Sequence, residues 1–249
     1  MADTKTESVK VEKEAAPILR KIEAKVPTAE ELVQAGVHFG HKTSKWNPKM
    51  KQYIFGAKNG VHIFDLEKTL AKLKEAAEFA AEISQRGGLI IFVGTRPAVK
   101  KIVKEAALAA GMPYVTLRWL GGTLTNFKTI GKRLDYFRDL ERQMAEGELK
   151  KYTKKEQLGF ARKLEELEKS FGGIKNLTKL PDAIFVADPV DNHLAVKEAR
   201  NAGVKVIAIC DTNASPEMAD WPIPANDDAV SAVKMVLDTI AEAIKEGKK

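Results

Sequence analysis

The sequence predicts an α/β fold: a doubly wound parallel sheet flanked by helices, with an inserted antiparallel helical hairpin. Three observations support this prediction. Short apolar runs alternate with segments of helical period on both sides of the chain's middle, as in a parallel sheet covered by helices on both faces. A charged block of roughly fifty residues with helical period interrupts this alternation. The glycine pairs Gly121-Gly122 and Gly172-Gly173 bound that block.

The composition and the charge indicate which kinds of partner the protein can bind. The chain has 249 residues, of which 44% are hydrophobic and 30% charged, and its formal net charge is +7. Positive charge spread along the chain favours an anionic partner such as a nucleic acid. No apolar run reaches the length of about 18 residues that indicates a membrane span, so no membrane partner is expected. The single cysteine, Cys210, excludes an internal disulfide, which suits the cytoplasm.

The pattern divides the chain into three parts. Residues 1–26 alternate charged and small residues, and they are predicted to form a flexible extension without the apolar core of a signal peptide. Residues 27–122 and 174–246 are predicted to form the α/β body. Residues 123–173 are predicted to form the inserted hairpin. Its necks are Gly121, Gly122, Gly172 and Gly173, because glycine tolerates sharp or left-handed backbone.

Local signals predict each element of the first half of the body. A capping box from Thr28 to Glu31 starts a short helix that stops at Gly36. The apolar segments 53–55 and 61–64 flank a turn that ends in Asn59-Gly60, which indicates a β-hairpin. Asp65 then caps a long helix that ends near Gly87-Gly88.

The rest of the body alternates strands and helices. The predicted strands of the parallel sheet are 89–93, 114–117, 183–187 and 206–210. The predicted helices run from residue 97 to 111, from about 192 to 202, and from about 226 to 244. Within the hairpin, one apolar stripe comprises Ile130, Leu134, Phe137, Leu140 and Met144, and a second comprises Leu158, Ala161, Leu164, Leu167 and Phe171. Two facing stripes predict an antiparallel pair. A hairpin that lies back on the body is the alternative.

The strongest functional signal is a basic and aromatic run from residue 38 to residue 58. Lysines offer charges to phosphates, and tryptophan offers a flat face to bases or riboses. The predicted RNA-binding residues in this run are Lys42, Lys45, Trp46, Asn47, Lys49, Lys51 and Lys58. Those elsewhere are Arg96, Arg118, Trp119, Asn126 and Lys128. The alternatives are a solvated lysine face and, for Arg96, a helix start set by Pro97.

A candidate metal site lies where two apolar strands end. Asp188 and Asp211 each follow such a strand, and His41 belongs to an H-x-x-H spacing. Ligands gather outside the carboxyl ends of parallel strands, so these residues could hold a structural Mg²⁺ or Zn²⁺. The alternative is that each aspartate caps its own turn.

No catalytic motif stands out. Gly94-Thr95-Arg96-Pro97 lacks the three spaced glycines of a dinucleotide site, and no Walker loop is present. Cys210 lies in an apolar run, where it is expected to be buried and inert. The sequence therefore predicts a structural, RNA-binding protein without catalysis, small-molecule substrate or required cofactor. The alternatives are an α/β enzyme with a metal at Asp188 and Asp211, and a regulatory module that docks a protein through the hairpin.

Several motifs resemble the small-subunit ribosomal protein family conventionally called S-two. They occur in order from about Thr28 to Ile244, and they include 37–41, 46–50, 54–56, 61–63, 92–95, 118–126, 172–174, 180–183, 211–213 and 223–229. Ala225 stands where many relatives have glycine, and the residues before Val26 have no counterpart in the family's core.

The resemblance implies an α/β body with a protruding helical hairpin, of the bacterial branch. It also implies binding to small-subunit ribosomal RNA beside neighbouring ribosomal proteins, in the cytoplasm rather than in an organelle. One of those neighbours is the mRNA-binding ribosomal protein numbered one, which such a protein helps to anchor.

Overall fold

The main sheet of the protein has five parallel strands. The computed structural model describes residues 24–249. Residues 1–23 of the predicted extension lie outside the described residues. The strands are β4 (Ile90–Val93), β5 (Tyr114–Val115), β6 (Ala183–Val186), β7 (Lys205–Cys210) and β8 (Trp221–Pro224), in the spatial order β5-β4-β6-β7-β8. The order reverses between β4 and β6, which is typical of doubly wound sheets. Pro222 and Pro224 lie on the edge strand β8, where a missing backbone donor is tolerated.

Helices cover both faces of this sheet. The first face packs against α2 (Leu66–Gln85), α3 (Lys100–Ala110) and α7 (Val230–Gly247), with inward side chains such as Phe92 and Phe185. The second face packs against α6 (His193–Asn201), with Ile91 and Val186 pointing to it. Successive side chains of each strand point to opposite faces of the sheet and so pack into the two cores in turn. The predicted doubly wound α/β fold is confirmed.

A second, antiparallel sheet has three short strands. They are β1 (Phe39–Lys42), β2 (Ile54–Lys58) and β3 (Val61–Phe64), in the order β1-β3-β2. The turn between β2 and β3 has φ of +53° at Asn59 and +75° at Gly60, as the predicted hairpin turn needs. Before this sheet lies α1 (Ala29–Gln34), whose capping box from Thr28 to Glu31 is present as predicted.

The predicted hairpin region contains two contacting helices, α4 (Phe127–Ala145) and α5 (Lys154–Phe171). The predicted capping box at Thr153 starts α5. Ile130, Leu134 and Phe137 belong to the second core of the body, so the inner part of α4 packs on the sheet. Further out, Met144 and Leu158 are exposed. The inner half thus lies against the body, and the protrusion of the remainder stays a prediction.

Several boundaries differ from the prediction. Helix α3 begins at Lys100 rather than at residue 97. Helix α7 begins at Val230 rather than at about residue 226, because the Asn226 side chain accepts hydrogen bonds from the backbone amides of Asp228 and Ala229 and holds them in a turn. Ala24 is buried and Val26 packs on the first core, so packing begins before residue 27. Of the helices in the described part of the chain, none has the length and apolarity of a membrane span.

Candidate nucleic-acid interface

Exposed lysines between β1 and the end of β2 are the main cationic feature of the predicted RNA surface. Lys42, Lys45, Lys51 and Lys58 are exposed, and within residues 24–249 none of their ammonium groups has a carboxylate at ion-pair distance. Lys49 differs, because it forms an ion pair with Glu217. The structure therefore leaves four of the five predicted lysines available to phosphates.

Trp46 and Asn47 have different local roles. The Trp46 ring is 38% exposed, and its centroid lies 5.3 Å from that of the His62 ring. The two rings are tilted by 47°, so His62 contacts the tryptophan without stacking on it, and part of the Trp46 side chain stays open to a ligand. The Asn47 side chain instead accepts a hydrogen bond from Lys49 N, at 3.0 Å, and caps the 3₁₀ segment Pro48–Tyr53. Asn47 therefore holds the backbone that carries Lys49 and Lys51.

The end of β7 fastens this segment to the main sheet. His41 N donates to Thr212 Oγ1 at 2.9 Å and to Asp211 Oδ1 at 3.2 Å, and Asn47 N donates to Thr212 O at 2.7 Å. A Cβ on Gly40 would lie 2.6 Å from Thr212 Cγ2, so the approach requires a residue without a side chain. Asp211, predicted as a metal ligand, here positions the RNA-binding run.

Both predicted RNA-binding regions stand on the same face of the main sheet. Met50 and Tyr53, from the segment between β1 and β2, belong to the core between the main sheet and α6, which we call the second core. Trp119 and Leu124 belong to the same core, and they lie in residues 118–128, which we call the first neck. Arg118, Asn126 and Lys128 are exposed in that neck. Trp119 is only 5% exposed. It is thus a core residue and offers no open ring face to RNA, contrary to the role assigned from the sequence.

Arg96 also has a different position from the one expected of a phosphate ligand. Its Nε lies 2.6 Å from Asp188 Oδ2 and 2.8 Å from Asp191 Oδ2, while Nη1 lies 3.0 Å from carboxylate oxygens of both Asp227 and Asp228. These contacts place the guanidinium among four carboxylates. The surrounding negative charge raises the pKa of Arg96 despite its partial burial. Arg96 therefore neutralises acidic groups at the carboxyl ends of the strands.

His41 lies against the same acidic cluster. Its Nδ1 is 3.1 Å from Asp211 Oδ1, and its Nε2 is 3.5 Å from Asp228 Oδ2. The Asp211 carboxylate raises the pKa of His41 from 6.5 to about 8. Burial, with the nearby charge of Asp211, raises the pKa of Asp227 from 3.8 to about 7.

The predicted metal ligands are only partly brought together. His41 and Asp211 are neighbours, whereas Asp188 is paired with Arg96. A set of one imidazole and two carboxylates, from His41, Asp227 and Asp228, has ligand atoms within 4.8 Å of one another. Asp227 Oδ2 is buried, and no group among residues 24–249 forms a hydrogen bond with it. This nitrogen and oxygen set suits Zn²⁺ better than Mg²⁺. The structural cation stays a prediction.

The raised pKa of His41 predicts a pH-dependent stability. A base whose pKa is higher in the folded than in the unfolded chain stabilises the fold. This stabilisation is complete below about pH 6.5, and it is lost as the pH rises to about 8. The shift corresponds to about 2 kcal/mol. We expect the free energy of unfolding of the wild type, measured by urea titration with a chelator present, to fall by that amount between pH 6.5 and pH 8 relative to that of His41→Gln. Parallel curves for the two proteins over this interval would contradict the assignment.

Glu198, on α6, is a functional residue that sequence patterns do not reveal. Its carboxylate is 5% exposed and accepts hydrogen bonds from Gly122 N at 2.7 Å and Leu124 N at 3.1 Å. Gly122 has a φ of +87°, the left-handed backbone expected at a neck. Glu198 thus holds the loop between Trp119 and Asn126. The one signal in the sequence is a carboxylate at an inward position of a helical pattern. The hydrogen-bond partners of Glu198 lie about 75 residues away along the chain, so the sequence does not identify them.

The chain is similar to proteins of the bacterial small ribosomal subunit. The sequence model of the family described as "Ribosomal protein S2" matches residues 32–247. A "Small ribosomal subunit protein uS2" of Vibrio cholerae serotype O1 is 51% identical over 218 residues, which cover 88% of this chain and 90% of the relative. Proteins of the same description from Idiomarina loihiensis and a Roseiflexus species are 48% and 49% identical. These cover 88% and 87% of this chain, and 90% and 83% of the relatives.

Proposed function

The chain belongs to the ribosomal protein S2 family, and on that premise we propose that it binds small-subunit ribosomal RNA through its small sheet and first neck. The family consists of ribosomal proteins, so the chain is a structural constituent of the ribosome and not an enzyme. Its relatives are bacterial small-subunit proteins, which places it in the cytoplasmic ribosome. The enzyme with a metal at Asp188 and Asp211 is thereby excluded.

The proposal depends on four exposed lysines in residues 42–58, the segment that runs from β1 to β2 of the small sheet. Within residues 24–249, their four ammonium groups have no carboxylate at ion-pair distance, and the same segment exposes Trp46. Lysine neutralises phosphates as a point charge, and a partly open tryptophan can stack on an unstacked base. Arg118, Asn126 and Lys128 extend this chemistry over the same face of the main sheet. We call these seven cationic and polar residues, together with Trp46, the RNA surface.

The proposal predicts a strong and localised salt dependence. We expect affinity for folded small-subunit ribosomal RNA to fall steeply with salt, because phosphate contacts release counterions. Replacing Lys42, Lys45, Lys51 and Lys58 by glutamine is expected to reduce the slope of log affinity against log salt by about 1 per lysine. Filter binding at several salt concentrations measures both quantities.

A charge-matched control separates surface contacts from the effect of net charge. Lys74, Lys101, Lys234 and Lys245 are exposed on helices α2, α3 and α7, which cover the opposite face of the main sheet. Their replacement by glutamine should leave most of the slope unchanged. Equal losses in the two quadruple variants would rule out the RNA surface as the binding site.

We further propose that the small sheet helps to anchor the mRNA-binding ribosomal protein numbered one. Its two edge strands carry exposed aromatic rings, with Phe55 82% exposed on β2 and Phe39 47% exposed on β1. An exposed aromatic ring at a sheet edge offers a protein partner an apolar surface to bury. Lys42 and Lys58 lie on the same two strands as these rings, so RNA and protein would be held side by side.

The anchoring proposal is tested with ribosomes assembled from the Phe39→Ala/Phe55→Ala variant. We expect sedimented small subunits to contain the variant chain at normal levels and to lose most of the mRNA-binding protein. Tyr136→Ala, which removes an exposed ring from α4 instead, is the control. Retention of the partner by the double variant at moderate salt would contradict this role.

A further inference from the structure

Two adjoining cavities lie at the free edge of β5, beside the second neck. The first has a volume of about 300 Å³ and is lined by Lys104, Arg118 and Lys169. The second has a volume of about 500 Å³, and its wall includes Leu108 and Met112. Tyr114 and the neck glycines at 172 and 173 line both cavities. We call the pair the neck cleft, and Arg118 is the residue that it shares with the RNA surface.

The first cavity has the charge that a phosphate requires. Lys104 and Arg118 are exposed, and neither has a carboxylate at ion-pair distance within residues 24–249. The Lys104 ammonium lies 5.8 Å from the centroid of the Tyr114 ring. Lys169 is paired with Glu165, and Glu168 is the acidic side chain of this wall. In the described part of the chain, Lys104 and Arg118 are therefore cations without a carboxylate partner beside an aromatic ring.

The second cavity suits a flat, partly apolar ring. At the rims of the cleft, Leu108 is 60% exposed and Leu117 is 50% exposed, although both are large apolar side chains. Asn176 is exposed on the wall of the second cavity and offers both a donor and an acceptor. Apolar walls with a few polar groups are typical of ligand sites. The edge of a base would be recognised by such an amide.

We propose that the neck cleft binds one nucleotide. The phosphate contacts Lys104 and Arg118, and the base enters the second cavity against Leu108 and Tyr114, within reach of Asn176. An unstacked nucleotide of the ribosomal RNA is the ligand, so the inference rests on the proposed RNA binding and extends it to the edge of β5. Proteins recognise single-stranded RNA by such a combination of backbone charge and base packing.

The test uses the full-length chain and exposed residues, so folding is preserved. We expect Lys104→Gln/Arg118→Gln to lower the slope of log affinity against log salt for small-subunit ribosomal RNA by about 1 per residue. Asn176→Ala should weaken binding about fivefold, the loss expected for a hydrogen bond. Lys101→Gln/Lys234→Gln, with the same change in net charge, should match the wild type.

Free nucleoside 5′-monophosphates distinguish the source of the nucleotide. If the salt slope is unchanged but a monophosphate shifts the amide resonances of Gly172 and Gly173 in the wild type and not in Lys104→Gln/Arg118→Gln, the cleft binds free nucleotides. If neither RNA slope nor amide resonances respond to the substitutions, the neck cleft is not a nucleotide site. That result would also remove Arg118 from the RNA surface, but it leaves the four lysines between residues 42 and 58, which have their own test.

Discussion

Replacing Gly173 by alanine is expected to lower the free energy of unfolding by about 3 kcal/mol or more, the upper range for inserting a side chain into packed surroundings. A Cβ on Gly173 would lie 2.1 Å from the backbone oxygen of Tyr114 and 2.7 Å from its ring carbon Cδ2. Backbone cannot yield as a flexible side chain can. The second neck would therefore separate from β5, and the inner end of α5 would move with it.

The neighbouring glycine provides the control. The atoms nearest to a Cβ on Gly172 would be those of the Glu168 carboxyl group, at 2.6 Å, and Glu168 is exposed and can turn away. Gly172 also has ordinary helical backbone, with φ −54°. We expect Gly172→Ala to change the unfolding free energy by less than about 1 kcal/mol. Urea titrations of the two variants decide the matter, and equal stabilities would show that the close approach at Gly173 is unimportant.

Replacing Glu198 by alanine is expected to cost about 3 kcal/mol, because two backbone amides of the first neck would lose their acceptor in a buried place. The amides of Gly122 and Leu124 would lose this acceptor, and the longer hydrogen bonds from the amide and the hydroxyl of Thr125 would be lost with it. Glu198→Gln keeps one carbonyl oxygen and should recover about half of the loss. Lys197→Ala, at an exposed position of the same helix, is the control.

Hydrogen exchange gives this prediction a second readout. In Glu198→Ala the amides of Gly122 and Leu124 should exchange faster, while amides of β6 and β7 keep their protection. Because the neck carries Arg118, Asn126 and Lys128, we also expect weaker RNA binding without a change in the salt slope, since no phosphate contact is removed. Unaltered exchange at the neck would show that Glu198 does not hold it.

Short-range patterns predicted most of the elements, but they missed the edge strands β1 and β8, because the former lies in a run without regular period and the latter in a proline-marked segment. Both capping boxes, at Thr28 and Thr153, form with their acidic partners three residues later. The turn at Asn59-Gly60 and the run Ile90–Val93 also have the conformations that their residues predict. Each of these features depends on residues only a few positions apart, so it could be inferred without knowledge of the rest of the chain.

The roles of individual recognition residues were less predictable. Trp119 and Arg96 are residue types common in RNA surfaces, but the former is buried and the latter is surrounded by aspartates. A residue type indicates what a side chain can do, whereas its neighbours determine what remains available. Lys49 illustrates the same limit, since its partner Glu217 is 168 residues away.

The sequence by itself determined the α/β alternation, the inserted helical block, the basic run on the small sheet and the family. These are carried by local period, local charge and motif order. The tertiary structure alone decided that the small sheet and the first neck share one face, that Glu198 holds that neck, and that Arg96 serves the acidic cluster. The physical reason is that burial and charge pairing are set by segments distant in sequence, and only folding brings those segments together.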